Sequence, residues 1–424
     1  MLLKKYLPVT LVLQPQKVNR NFVDDLSAFS VYSVCSALVI LPNQTQLIIL
    51  NLRLLKLSFL LTIFPLFPAT AFDMDFEGRL KAGSQFVFSS PPLHKDFDSE
   101  LELRLGVLGG LFEKEGWVLD YELSADAKQA DGPSEQSGLR RETDVDFFRA
   151  WLRLDNGEFK IRGGRQKILF GSGSIYRPLG LFDTRDVTGV VPETRGVDGV
   201  RVTHFQSETA LVEGWLVPAK KGNAMIFGVR GEMLLEDIEA GVVLQYHPES
   251  DLEDLPGFNQ EMFQLGYHFK GERELGFWNE SRLDIEMKPS APIQFDTVFG
   301  IDYTFDIGEG LHILAEYFFT TRQRGFSLTD LKGQRTYQQI GISFDQPVGI
   351  DMQWQLFGLF DLRDKSFQWI PQIEYALTDT LFLYAHGRVG GSLKSGKKDG
   401  RLFRKTDVFN GTESVIGLTL LNYF

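Results

Sequence analysis

Residues Pro292–Phe305 read PIQFDTVFGIDYTF. Ile293, Phe295, Phe299, Ile301, Tyr303 and Phe305 fall on one parity, and Gln294, Asp296, Asp302 and Thr304 on the other. Successive side chains of an extended chain point to opposite faces, so this alternation predicts a strand with one apolar and one polar face. The run is longer than the five or six residues usual in soluble sheets. It reaches the roughly ten residues that a tilted strand needs to cross a bilayer.

The same period recurs along the chain. In DMDFEGRLKAGSQFVF, Met74, Phe76, Leu80, Ala82, Phe86 and Phe88 alternate with Asp75, Glu77, Arg79, Lys81 and Gln85. DSELELRLGV sets Leu101, Leu103, Leu105 and Val107 against Glu100, Glu102 and Arg104, and GIDMQWQLFGLFDL repeats the pattern through Met352, Trp354, Leu356, Phe360 and Leu362. From Phe72 onward no apolar run is long enough for a membrane helix. Segments between turn signals number about eighteen, an even count, as closed bacterial barrels generally have. Every second connection is short (EKEG, DNGE, QSE, LED, KGERE, DIGEG, DQPVG, LTDT), whereas the intervening set contains the long ones. Short turns at one end and longer loops at the other are the layout of membrane barrels. No internal repeat points to a propeller. The fold expected is therefore all-β: a transmembrane antiparallel up-and-down β-barrel of about 18 strands, without a plug domain. Both termini fall on the short-turn side, which would be periplasmic.

The end of the chain fits that expectation. SVIGLTLLNYF, Ser414–Phe424, stops on two aromatic residues without a polar tail. In hydrocarbon every backbone amide needs an internal partner, so a last strand must close against the first, and an aromatic end can sit in the interfacial girdle.

At the other end, Arg53 and Lys56, an apolar run from Leu57 to Pro68 and then Ala69-Thr70-Ala71 read as a secretory signal over 50–71. Residues 1–49 fit no targeting pattern and are read as an over-extended gene start, leaving 72–424 as the barrel. Cys35 is the only cysteine in 424 residues and lies in the removed part. The exported chain then has no disulfide, thiolate metal site or cysteine nucleophile. A formal charge of −12 argues against nucleic acid as a partner.

The chain's ending resembles the C-terminal signal of bacterial outer-membrane barrels, through Leu418, Leu420 and Phe424, with Asn422 departing from it. FRAWLRLDNGEFKIRGGRQKILFGSGSIYRPLGLFDTRD, followed by GVDGVRV, resembles the alginate-export and related substrate-selective porin-like barrels. That resemblance implies a passive, monomer-sized channel for small or polymeric anionic solutes. It also implies lipid, lipopolysaccharide and the barrel-assembly machinery as partners in a bacterial outer membrane.

If the apolar parity faces lipid, the other lines the lumen. A basic ladder is expected from Arg149, Arg153, Lys160, Arg162, Arg165, Lys167 and Arg201. Arg165 and Lys167 have the opposite parity to Lys160 and Arg162, and Gly163-Gly164 is the place for a bulge that resets the face. Asp98, Glu100, Glu102, Asp120, Glu122 and Asp126 form an acidic wall. Two readings stand side by side: a transverse field that orients charged solutes, and ordinary charge pairing between neighbouring strands. The long connection with Arg177, Asp183, Arg185, Asp186, Glu193 and Arg195 either folds inward and narrows the pore or stays on the surface. The six histidines occur singly, so lumen or loop positions are expected rather than metal ligands, and no cofactor is expected. A diffusion channel is the leading function. A sleeve or exporter holding a partner protein or polymer is the alternative, and a barrel hydrolase is disfavoured because no nucleophile, base and orienter fall on adjacent strands.

Overall fold

The computed structural model describes residues 73–89, 94–132, 140–219, 224–248, 261–287, 293–321, 337–363, 365–392 and 413–424. The expected gene-start and signal segments, 1–49 and 50–71, lie outside the described residues. The strands are β1 Asp73–Ser89, β2 His94–Lys114, β3 Trp117–Gly132, β4 Arg140–Asp155, β5 Phe159–Gln166, β6 Val197–Ser207, β7 Ala210–Pro218, β8 Met225–Leu235 and β9 Ile238–His247. They continue as β10 Met262–Glu272, β11 Gly276–Glu286, β12 Gln294–Phe305, β13 Leu311–Thr320, β14 Tyr337–Val348, β15 Met352–Asp361, β16 Ser366–Ala376, β17 Leu381–Ser392 and β18 Glu413–Tyr423. Each pairs antiparallel with its sequence neighbour and β1 pairs with β18, so the 18-stranded sheet closes on itself.

Period-two patterning decides which face looks where. Phe76, Phe86, Leu101, Leu152, Val242, Phe299, Ile301 and Ile416 are exposed on the outside. The alternate positions bury Arg79, Glu102, Arg149, Glu213, Gln264, Glu280 and Glu316 on the inside. Such an inverted arrangement, apolar out and charged in, suits hydrocarbon outside and a wet lumen.

The expected bulge at Gly163-Gly164 is absent. β5 keeps one register against β4 and against β6 through both glycines. The register shift lies one pair earlier, where Ser124 faces Arg149 and Ala125 faces Phe147, leaving Phe148 as the extra residue of β4.

Closure is made by the last residue itself. Gly78 N–H donates to the Phe424 carbonyl at 2.7 Å, and Phe424 N–H donates to the Gly78 carbonyl at 2.9 Å. The Phe424 ring lies directly over Gly78, where a Cβ would come within 2.0 Å of ring carbon. Only glycine leaves that space. Gly78→Val should push this exposed terminal ring off the seam. The expected result is a reduced yield of heat-resistant folded barrel on cold electrophoresis, while Gly231→Ala, at a glycine with nothing within 4 Å of an added Cβ, keeps the wild-type yield.

Candidate functional site

Residues 167–196 join β5 to β6 and run across the lumen. Two acids on the inner wall hold the near half of this loop. Glu280 of β11 accepts the Gly173 N–H at 2.8 Å and also the Leu179 N–H. Glu316 of β13 accepts the N–H groups of Ser174, Ile175 and Tyr176 at 2.6, 2.9 and 2.7 Å, and Trp278 Nε1 donates to it at 2.8 Å. Arg282 donates to the Pro178 carbonyl and, at 2.9 Å, to Asp296. Glu280 and Glu316 are 0% and 1% exposed. A buried carboxylate is costly unless it is hydrogen-bonded, and here the loop backbone supplies the donors. Apolar contacts complete the seat: Ile168, Phe170 and Leu179 cluster with Trp215, Val217 and Val243. Tyr176 stacks on Phe318 with ring centroids 4.8 Å apart, and with Ile175 and Val187 it packs on Phe357, Leu359 and Ile370.

The far half of the loop crosses to the other wall. Arg104 of β2 donates to Glu193 at 2.9 and 3.1 Å, and Arg79 of β1 approaches it to 2.6 Å. Arg149 donates to the Thr194 carbonyl at 2.8 Å. Gln372 of β16 and Arg388 of β17 donate to the Val190 carbonyl and Thr188 Oγ1, each at 3.3 Å. Between this part of the loop and the wall lies a cavity of about 600 Å³, bordered by Lys81, Glu100, Lys128 and Arg388 from the strands and by Asp186 and Arg195 from the loop.

Burial alone would push the Glu193 carboxyl up, but the hydrogen bonds and charges of Arg104 and Arg79 outweigh it and hold the group below its ordinary value of 4.5. With the folded value depressed, the tether is fully present at neutral pH and is lost only as pH falls through that lowered value. Current noise from the loop should therefore stay flat down to pH 4.5 and rise only in stronger acid. Glu193→Gln should show the acid behaviour already at neutral pH in planar-bilayer recordings.

The expected ladder is shorter than its sequence. Arg153, Arg162 and Arg201 stand directly opposite one another across β4, β5 and β6. Lys160 is 3.4 Å from Asp155, and Arg149 is used on the loop. Arg165 has the opposite parity on β5, but its side chain pairs with Asp198 at 3.0 Å and Asp146 at 2.7 Å and borders a small cavity with Asp126, Lys128 and Arg195. Lys167 lies beyond the end of β5 and is exposed. Neither stands in the row: Lys167 lies past the strand, and Arg165 is taken up by the two aspartates.

The acidic wall does not face the ladder across the lumen. Its members sit beside basic residues on adjacent strands. Asp120 pairs with Arg153. Asp126 pairs with Arg104 at 2.5 Å, and Glu102 with Arg79 and, at 2.6 Å, Lys128. Glu100 lies 3.3 Å from Lys81, while Asp98 and Glu122 accept from Gln85 at 3.2 Å and Trp151 Nε1 at 2.9 Å. Of the two readings set side by side, cross-strand pairing is the one these contacts follow. Arg162 is left over. Its guanidinium lies 4.3 Å from the Trp151 ring centroid, its Nε has no hydrogen-bond partner, and among the described residues no carboxylate stands within ion-pair distance.

The remaining loop candidates shape the loop. Asp183 pairs with Arg177 at 3.3 Å and accepts from Thr194 Oγ1 at 2.5 Å. Arg185 donates to the Ser174 carbonyl at 2.8 Å, and Asp186 accepts the Thr188 N–H at 2.9 Å. Arg195 is exposed and its N–H donates to Thr184 Oγ1 at 2.9 Å. Leu418, Leu420 and Phe424 all face outward, Phe424 being 62% exposed. Glu280, Arg282 and Trp278, which hold the loop, are absent from the sequence-based candidates; their only signal is lumen parity within GFWNESRLDIE.

No protein-family model matches the chain, and no curated protein does. Solved structures with the same architecture do. Pseudomonas aeruginosa OccK7 (OpdD) superposes with a TM-score of 0.54 at 10% identity, over 84% of this chain and 99% of that one. The outer membrane protein OprD from the same organism gives 0.54 at 10% identity, over 83% and 93%. Pseudomonas aeruginosa OpdK with vanillate gives 0.51 at 10% identity, over 82% and 98%. What is shared is the fold. This chain has the closed 18-stranded antiparallel barrel of those outer-membrane proteins.

Proposed function

We propose that the protein is a bacterial outer-membrane channel for passive, substrate-selective diffusion of small hydrophilic anions. The observation that carries this reading is the row Arg153, Arg162 and Arg201, whose central guanidinium has no carboxylate of its own, in a lumen crossed by a loop anchored from inside. An arginine without an ion-pair partner, set between two more, keeps a positive site for a passing anion. OpdK was solved with vanillate, and a small carboxylate of that kind is the solute class that Arg162 fits. In this reading the apolar outer face meets lipid and lipopolysaccharide, the barrel-assembly machinery reads the outward Leu418, Leu420 and Phe424, both termini lie in the periplasm, and one barrel is the working unit. Removal of 50–71 as a signal belongs to the same proposal.

The test is planar-bilayer recording of the purified barrel, with reversal potentials in a salt gradient, paired with swelling of barrel-containing liposomes in small carboxylates and neutral sugars. Ohmic steps, anion preference and faster carboxylate entry support the proposal; a folded barrel that passes no current overturns it. The resemblance of 148–186 to alginate-export barrels carries the second reading, a polymeric anion threading the same row. Block of the current by short polyuronates, without swelling in small carboxylates, would favour it.

A further inference from the structure

Glu232, Glu239 and His268 lie together on three consecutive strands, with His268 in register beside the loop anchor Glu280. All three project from the inner face of β8, β9 and β10. Glu232 stands opposite Gly241, and Gly241 opposite His268. The middle place of that row is empty of side chain, and a Cβ on Gly241 would come within 2.3 Å of His268 Nε2. The imidazole therefore leans over the glycine toward the two acids. His268 is only 2% exposed. Its Nδ1 is 2.9 Å from Ser172 Oγ at the root of the inward loop. Its Nε2 has a 3.9 Å approach to Glu232 as its nearest charged neighbour. The three ligand atoms lie within 4.8 Å of one another.

We propose that this cluster binds a divalent transition-metal ion, with zinc as the best fit. One imidazole nitrogen and two carboxylate oxygens are a donor set zinc accepts, leaving a fourth place for water or solute. Calcium and magnesium ask for six or more oxygens and have no use for the imidazole. A metal-bound histidine commonly has its second nitrogen held by a hydrogen-bonding partner that fixes the ring and tautomer; Ser172 Oγ is in that place, and when Nδ1 carries the proton Nε2 presents a lone pair to the ion. Zinc–ligand distances of about 2.0–2.2 Å require the atoms to draw closer than they stand, and Glu239, being exposed, is free to swing in. Arg230 donates to Glu232 at 2.7 Å and to Glu213 at 3.1 Å. A carboxylate has several acceptor positions, so Arg230 orients Glu232 without filling it. The bound ion would tie the β8–β10 wall, through His268 and Ser172, to the root of the loop.

The experiment uses the folded full-length barrel, stripped with a chelator and titrated with zinc against a chromophoric competitor. One zinc per barrel is expected, and X-ray absorption should show a single imidazole nitrogen in its shell. His268→Asn and Glu239→Gln should each weaken binding about tenfold or more, whereas His312→Asn leaves it unchanged. Absence of zinc binding, or binding that both site variants leave intact, overturns the proposal. If His268→Asn does not fold, the exposed Glu239→Gln carries the same decision. The readout is metal occupancy, so it does not depend on whether the barrel conducts.

Discussion

Glu280→Ala combined with Glu316→Ala is expected to raise single-channel conductance severalfold and to make the current noisy. These two carboxylates accept N–H groups from Gly173, Leu179, Ser174, Ile175 and Tyr176. Hydrogen bonds to charged groups are worth about 1.5–3 kcal/mol each, and their loss leaves five backbone donors without acceptors. The loop's remaining apolar seat cannot hold unsatisfied amides in place, so the segment should leave the lumen. The barrel should survive, since its wall rests on backbone ladders. A folded double variant with unchanged conductance would show that this part of the loop does not narrow the pore. Glu316→Gln is the finer probe: it keeps the volume but turns one acceptor toward the loop into a donor, and a partial effect is expected.

Arg162→Glu should convert an anion-preferring channel into a cation-preferring one, read as a change of sign in the reversal potential. Arg162 stands between Arg153 and Arg201 in direct register, and it alone of the three has no acidic partner. Its charge is thus the least directly paired of the three, and in a narrow low-dielectric passage such a charge shifts selectivity strongly. Arg153 is partly cancelled by Asp120 and Arg201 by Glu213 at 3.4 Å, so their neutral variants should shift it less. Arg165→Ala is the control. Its charge is spent on Asp198 and Asp146, outside the row, and the reversal potential should move far less. An equal response to Arg162→Glu and Arg165→Ala would remove the filter from the arginine row.

Strand parity explains why so much of the barrel was legible beforehand. In PIQFDTVFGIDYTF one face is apolar because it meets hydrocarbon, and that pressure acts on every strand alike. The ladder was half legible for the same reason: the opposite parity of Arg165 was visible, but the glycine pair offered an escape that the backbone does not take. Of the two readings of these charges, topology favours pairing. In an up-and-down barrel the ring order is the chain order, so acids on β2 and β3 must neighbour bases on β1 and β4 rather than oppose them. Glu280 and Glu316 were beyond reach because parity places a side chain in the lumen without telling what crosses the lumen to meet it. The Glu232–Glu239–His268 cluster was hidden likewise. Its two acids flank one hairpin, and His268 joins them only through the register of three strands around a glycine.

The seam between β1 and β18 sets a clock on assembly. Every other ladder joins strands that follow one another in the chain and can form soon after its second strand is delivered. The seam joins the two ends of the described barrel, so it costs the greatest loop-closure entropy and has to form last in any stepwise zipping. The inward loop, emitted after the fifth strand, reaches Gln372 and Arg388 only after the late strands exist. A nascent barrel would thus be wide before it is narrow, and truncations that remove β18 should trap an open sheet whose loop has never found its seat.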